Sequence, residues 1–277
     1  MNTRKAIFSL LTILLLGCSI PWCVANASKL NPAQITDLYS QAKNLFRQAN
    51  ELSVSAPDQA KDLYRKSAMR YERLIRDGGI HNGKIYYNLG NVYFRMKDIG
   101  RAIVNYRRAE HYMPTDPNLK QNLEYARKKR LDEIDEKQET KVLKTLFFWH
   151  YDLSTKTRVT AFGSCFTLLW IFSGIRIFTS KPIVTWGIVS AAALSLLLAG
   201  SLLAEEISLH ENRPGVIISH EIIARKGNSE TYEPSFKEPL HSGTEFVLIE
   251  DRGSWYHIEL TDARQCWVPS KDVELVR

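Results

Sequence analysis

Two long segments without charged side chains, near the middle of the chain, set the strongest limit on its fold. Residues 159–175 carry no charge, and the run reaches residue 178 if Arg176 extends its long side chain to the headgroup layer. Residues 182–204 form a second uncharged run, in which Pro182 at the start costs no helical hydrogen bond. Each run is long enough to cross a bilayer as a helix. We predict transmembrane helices at 159–178 and 182–204, joined by a tight hairpin.

The first residues of the chain indicate export. A basic start precedes an apolar run over 6–16, and Ala25-Asn26-Ala27 has the small residues of a signal-peptidase site. This pattern predicts a cleaved export signal at 1–27. Two alternatives remain open: LLGC at 15–18 resembles a lipobox in which Cys18 is acylated, and an uncleaved signal adds a third span.

A hairpin of two spans returns the chain to the side it left, so the segments before and after it share one compartment. Together with the export signal, this predicts a protein of the bacterial inner membrane with both soluble domains in the periplasm. The flanking charges agree only in part. Arg176 and Lys181 between the spans fit the positive-inside rule, whereas Lys156 and Arg158 before the first span oppose it.

The segment 141–158 mixes lysines with aromatic residues, a combination typical of the headgroup layer of a membrane. The lysines are Lys141 and Lys144, and the aromatic residues are Phe147, Phe148, Trp149 and Tyr151. We predict a juxtamembrane interfacial helix over 141–158.

The stretch YYNLGNVYFRMKDIGRAIVNYRRAEHYMP, residues 86–114, has small residues at helix positions that normally carry bulk. Its apolar residues form two stripes at helical spacing, Tyr86, Leu89, Gly90 and Tyr93, then Ile99, Ala102, Ile103, Tyr106 and Ala109. A short turn at 96–98 separates the stripes, so the two helices should pack antiparallel. We predict that the helices touch at their small residues, where the backbones can approach closely.

This pattern resembles the tetratricopeptide repeat, whose signature is an aromatic, Leu-Gly, Tyr, Ala, an aromatic, Ala and a closing Pro. The corresponding positions are Tyr86, Leu89, Gly90, Tyr93, Ala102, Tyr106, Ala109 and Pro114. The resemblance implies an all-α repeat domain with a capping helix, over residues 28–140.

The flanks of this repeat are less regular. An earlier repeat is predicted from helices around 39–46 and 67–74, without the Leu-Gly signature. The capping helix follows Pro114, with an apolar side made of Leu119, Leu123 and either Tyr125 or Ala126. We expect it to continue as a charged helix toward the membrane.

A second stripe of the strong repeat lies off the predicted packing face. It consists of Lys84, Asn88, Asn91 and Arg95, with Tyr87 and Phe94 beside it, and we call these six residues the groove stripe. In tetratricopeptide repeats this line faces the concave groove that receives peptides, so the resemblance implies a peptide groove here. Amide, aromatic and basic groups suit main-chain and carboxylate recognition.

Residues 215–277 contain short β-rich runs, GVIIS, EFVLIE, SWYHIEL and QCWVP, separated by turn sequences, which predicts a small all-β barrel. The order resembles a bacterial SH3 domain, with Gly243 before a strand, Gly253 at a turn and Trp267-Val268-Pro269 near the end. We expect Trp255 and Trp267 in or beside the core, because so small a domain needs large aromatic side chains to bury enough area.

The sequence predicts no metal site, no cofactor and no catalytic centre. The histidines are scattered without metal-ligand spacing, and Cys165 and Cys266 lie in different parts of the predicted architecture. His257 and Cys266 share the C-terminal domain without an activating group beside them, so we expect no enzyme. The net charge of +7 comes mostly from the first half of the chain, where segments such as ARKKRLDEIDEKQ mix both signs, which argues against nucleic-acid binding.

The order of export signal, helical repeats, membrane hairpin and SH3-like domain resembles the BatE-type proteins of the bacterial Bat aerotolerance operon. The stretch KIYYNLGNVYFRMKDIGRAIVNYRRAEHYMP is similar to the repeat of that family. The resemblance implies a membrane-anchored periplasmic scaffold for protein–protein interaction. Its expected partners are membrane proteins with von Willebrand factor A domains and other Bat-type proteins, in aerotolerance or envelope stress. The alternative is an envelope tether that binds peptidoglycan through the SH3-like domain.

Overall fold

The computed structural model describes residues 30–132, 134, 149, 153–211 and 213–276, with side chains of the second apolar helix described through residue 207. The predicted export signal at 1–27 and almost all of residues 141–152 lie outside the described residues. The helices are α1 (Pro32–Leu52), α2 (Pro57–Arg76), α3 (Gly83–Arg95), α4 (Ile99–Tyr112), α5 (Pro117–Arg127), α6 (Thr155–Phe178) and α7 (Pro182–Glu211). The strands are β1 (Arg213–Ile217), β2 (Glu221–Ile222), β3 (Leu240–His241), β4 (Glu245–Asp251), β5 (Trp255–Leu260), β6 (Gln265–Pro269) and β7 (Val273–Leu275).

The soluble helices begin at caps that the sequence encodes. Asn31, Asn82, Asp98 and Asp116 each accept a hydrogen bond from a backbone N–H of the first helical turn. Pro at the first turn of α1 and α5 adds to these signals, since its missing N–H has no helical partner there. Short links then pair α1 with α2 and α3 with α4.

The two helix pairs cross at small residues. A Cβ added to Gly90 would lie 2.6 Å from a ring carbon of Tyr106 and 3.3 Å from the carbonyl oxygen of Ala102. In the first pair, the buried Ser67 hydroxyl donates a hydrogen bond to the carbonyl of Ala42. Bulk is therefore missing where the helices touch, and the neighbouring tyrosines fill the volume beside each contact.

The capping helix α5 packs against α4 through Leu119, Leu123 and Ala126, all of them buried. Of the two candidates for its apolar side, Ala126 is correct, since Tyr125 is half exposed. We expected α5 to continue as a charged helix, and this expectation is wrong for the residues directly after Arg127. The helix ends at Arg127, and residues 128–132 turn toward the C-terminal domain instead of extending the helix.

Helices α6 and α7 are long and apolar enough to span a membrane and pack against each other. The apolar stretches run over Thr155–Phe178 and Pro182–Ile207, a few residues longer than predicted at the ends that meet the soluble domains. The added turn holds Arg158, whose side chain is 3% exposed and donates to the carboxylate of Glu205 at 2.6 Å. Arg158 is therefore a buried cation that is compensated by a carboxylate of the neighbouring apolar helix.

The C-terminal residues form a curled antiparallel sheet in the order β6-β5-β4-β1-β7, with β2 and β3 as a separate pair. Its core holds Ile217, Phe246, Ile258 and Val268. Gly243 before β4 and Gly253 before β5 have φ angles of 97° and 72°, which glycine adopts without strain. The predicted strands are confirmed, and in place of the predicted barrel they form a half-barrel sheet.

Candidate functional site

The groove stripe runs along one side of α3. Lys84 at the first turn and Arg95 at the last turn are exposed, and the four residues between them, Tyr87, Asn88, Asn91 and Phe94, are half-buried. The stripe therefore has two charged ends and a middle of amide and aromatic groups.

The middle of the stripe contacts α5. The Asn122 amide donates to the hydroxyl oxygen of Tyr87 and to the side-chain oxygen of Asn91, both at 3.0 Å. The Phe94 ring lies 5.5 Å from the ring of Tyr125. The groove stripe is therefore partly covered, because α5 comes alongside α3 and contacts these side chains.

Two further contacts fix the amides of the stripe. The Tyr106 hydroxyl donates to the Asn91 oxygen at 2.8 Å, so that oxygen accepts from two helices. Asn88 makes a side-chain hydrogen bond with Tyr71 of α2, whose pKa burial raises well above its usual value. These amides are preorganised by α2, α4 and α5, which positions them but also gives them a role in stability.

Arg95, like Lys84 at the other end of the stripe, stays available for a partner. Its side chain is exposed, and none of the described carboxylates forms an ion pair with it. Burial raises the pKa values of Tyr64 and Tyr106, and the positive charge of Arg95 opposes both increases. A partner that approaches α3 here meets an exposed positive charge, whereas Tyr64 and Tyr106 are themselves buried.

The C-terminal domain packs on α4 and on the residues that follow α5. The backbone N–H of Gly100 donates to the Ser242 hydroxyl at 3.1 Å, and a Cβ at Gly100 would lie 2.5 Å from the carbonyl oxygen of Ile217. Farther along α4, Arg108 donates to the carboxylate of Glu274 and to the carbonyl of Leu275.

A buried carboxylate of the sheet lies at the centre of this contact. Glu245, with 14% of its side chain exposed, accepts two hydrogen bonds from Arg127 at 2.8 and 2.9 Å. Arg130 and Arg107 lie 3.2 and 3.4 Å from the same carboxylate. Burial would raise the pKa of Glu245, but the hydrogen bonds and charge of Arg127 and the two neighbouring arginines hold it below its usual value.

A second carboxylate joins the domains from the opposite direction. Asp132, just after α5, accepts from the backbone N–H of His241 at 2.7 Å, contacts its ring nitrogen and accepts from the Thr244 hydroxyl. Burial would raise the pKa of Asp132, and these hydrogen bonds lower it below its usual value. The turn at 128–132 is therefore held against the sheet by hydrogen bonds.

The exposed side of the sheet carries one aromatic cluster. The rings of His257 and Trp267 stack at 4.8 Å, and the Arg252 guanidinium lies 5.0 Å above the Trp267 ring. Trp255 and Trp267 are half-buried, as expected. Cys266 is buried in the core, and its burial raises the pKa of the thiol to about 12, which keeps the thiol protonated and unreactive.

Sequence patterns pointed to the groove stripe but missed the contact between the domains. In the sequence, three arginines have the pattern of solvated residues on charged helices: Arg107, Arg127 and Arg130. Glu245 has the pattern of an exposed residue at the end of a strand. The only signal in the sequence was Gly100, a glycine inside a helix, which suggests that another chain segment comes close there.

Comparison of the chain with protein-family models, curated proteins and solved structures gave no match. The function proposed for the protein therefore depends on the residues and contacts of the site.

Proposed function

We propose that this chain is a membrane-anchored scaffold whose groove stripe binds a partner protein. On this proposal, the helix pairs are tetratricopeptide repeats, the curled sheet is SH3-like, and both domains lie in the periplasm of a bacterial inner membrane. The observation that carries the proposal is Arg95, an exposed cation without a carboxylate partner among the described residues, beside amides and aromatic rings fixed by three helices.

The contacts between the soluble parts support a scaffold role. Glu245 and Asp132 join the sheet to the helical domain, and Arg158 and Glu205 join the two apolar helices. A partner held at α3 would thus be held at a fixed place relative to the membrane. Partners of the expected kind are membrane proteins with von Willebrand factor A domains and other Bat-type proteins, in aerotolerance or envelope stress.

The test is affinity purification of the full chain, tagged after Arg277, from detergent-solubilised membranes, followed by mass spectrometry. Arg95→Glu should deplete a periplasmic or membrane partner, because loss of one anchoring contact costs about 1 to 3 kcal/mol in binding. Lys61→Glu, an equally exposed charge reversal on α2, is the matched control and should leave the partner bound. Recovery of every partner with Arg95→Glu would refute a role for the groove stripe.

A peptidoglycan tether is the second candidate, and the packing of the exposed Arg252 over the half-buried Trp267 ring favours it. Sedimentation of the full chain with purified cell wall tests it. Loss of sedimentation with Arg252→Ala, while Arg95→Glu still sediments, would identify the sheet as the receptor and the helical domain as a spacer.

A further inference from the structure

One end of the helical domain lies where the two apolar helices meet the soluble part of the chain. Nδ1 of His111, near the end of α4, is 3.8 Å from Oε1 of Glu205 in α7. The same carboxylate accepts hydrogen bonds from Arg158 and Thr155 at the start of α6. The end of α4 is therefore level with the start of one apolar helix and the end of the other.

A cavity of about 550 Å³ is lined by Tyr112, whose ring lies 5.3 Å from the ring of His111. Tyr112 and Met113, the two residues that follow His111, form one wall, and Ile35, Tyr39 and Ile80 form much of the rest. The volume falls within the range of about 300 to 1,000 Å³ that is common for small-molecule sites. Its lining is mostly apolar, so it suits a hydrocarbon group.

The rim of the cavity has the features of a membrane interface. The side chain of Tyr112 is 43% exposed, and tyrosine is enriched at the headgroup layer because its ring is apolar and its hydroxyl polar. Lys84 lines the cavity, is exposed, and has no ion-pair partner among the described residues. A cation at the mouth of an apolar cavity fits a ligand with an anionic head and an apolar tail.

We propose that this cavity takes one acyl chain of an anionic phospholipid from the adjacent leaflet, with Lys84 binding the headgroup phosphate. The inference requires that α6 and α7 span a bilayer. It shares Lys84 with the groove stripe but does not involve Arg95, on which the scaffold proposal rests. It gives the helical domain a contact with lipid in addition to its covalent link to the membrane helices.

The experiment uses the full chain in phosphatidylcholine vesicles that contain phosphatidylglycerol with a diazirine at the end of one acyl chain. After irradiation and proteolysis, mass spectrometry should find label on peptides with Ile80 and Met113 as well as on α6 and α7. Label on α6 and α7 shows that the protein lies in the membrane. Label confined to these two helices would therefore overturn the lipid site without touching the scaffold proposal.

Two variants and one control sharpen the test. Ile35→Trp fills the cavity and should abolish label at Met113 while α6 and α7 stay labelled. Val54→Trp, at a 93% exposed position in the link at the other end of α1 and α2, should leave the pattern unchanged. Lys84→Glu keeps the cavity open and should remove the preference for phosphatidylglycerol over phosphatidylcholine with the same diazirine. Unchanged labelling in both variants would contradict the proposal.

The chain's own N-terminal segment is another possible occupant of the cavity, and the test must distinguish it from lipid. Photo-methionine incorporated at Met113 should cross-link to lipid on our proposal. A cross-link to residues 1–29 in place of lipid would overturn the proposal and assign the cavity to that segment.

Discussion

At the level of single residues, the crossing of α3 and α4 depends on the absence of a side chain at Gly90. The ring of Tyr106 covers the space that a Cβ would take, and its hydroxyl continues to Asn91 on the groove stripe. The same tyrosine thus fills the crossing and positions an amide of the candidate site, so packing and site geometry are linked at this residue.

Gly90→Leu should lower the stability of the protein by about 1 to 3 kcal/mol, because overpacking forces Tyr106 out of its place. Thermal unfolding of the full chain in detergent measures the loss. Asn44→Leu, at an exposed position of α1, controls for the gain in helix propensity and should not lower the melting temperature. An unchanged melting temperature for Gly90→Leu would show that the crossing lies elsewhere.

At the level of elements, the two apolar helices are joined by a buried ion pair near their soluble ends. Arg158 also donates to the hydroxyl of Ser201 at 2.9 Å, so it binds two positions one turn apart on α7. A charge buried this deeply is stable only with its partner in place. The pair therefore fixes the register between α6 and α7.

Arg158→Ala should destabilise the pair of helices by about 3 to 5 kcal/mol, since it leaves the carboxylate of Glu205 buried without its partner. Lys156→Ala, two residues earlier and exposed, is the matched control and should have little effect. Thermal unfolding in detergent compares them. The double variant Arg158→Ala, Glu205→Ala should recover part of the loss, and a purely additive effect would contradict the coupling.

Most helices and strands could be predicted from the sequence, because the patterns that indicate them are local. Periodic apolar residues gave the α3–α4 pair, and uncharged runs gave α6 and α7. The half-buried state of Asn91 could not be predicted, since it depends on Asn122 in α5, thirty-one residues away. Glu245 was missed for the same reason, because its arginines come from a distant part of the chain and no local pattern marks them.

At the level of the whole molecule, Glu245 holds the sheet against the helical domain. A carboxylate whose folded pKa lies below its usual value of 4.5 contributes stability above that pH and loses the contribution as the pH falls through the folded pKa. Three arginines around one carboxylate would also repel each other without it. Acid should therefore loosen the contact between the domains before it affects either core.

Glu245→Gln should lower the melting temperature at neutral pH and flatten its fall as the pH is lowered from about 7 to about 3, because the group that titrates is gone. The loss at neutral pH should correspond to about 3 to 5 kcal/mol, the cost of breaking a buried pair. Glu250→Gln on the same strand, where the pair with Arg252 is half exposed, is the control and should change little. Equal effects of the two variants would rule out the buried cluster as the joint between the domains.

Helix α4 contacts α3, the sheet and the apolar helices, with Gly100 at the sheet, Tyr106 at α3, Arg108 at the last strand and His111 at the apolar helices. Each added residue in a helix rotates everything after it by about 100°. One insertion within α4 would therefore separate the anchors at its two ends, even if every side chain were kept. We therefore expect α4 to tolerate substitutions but not insertions, whereas the exposed link at 53–55 can take extra residues.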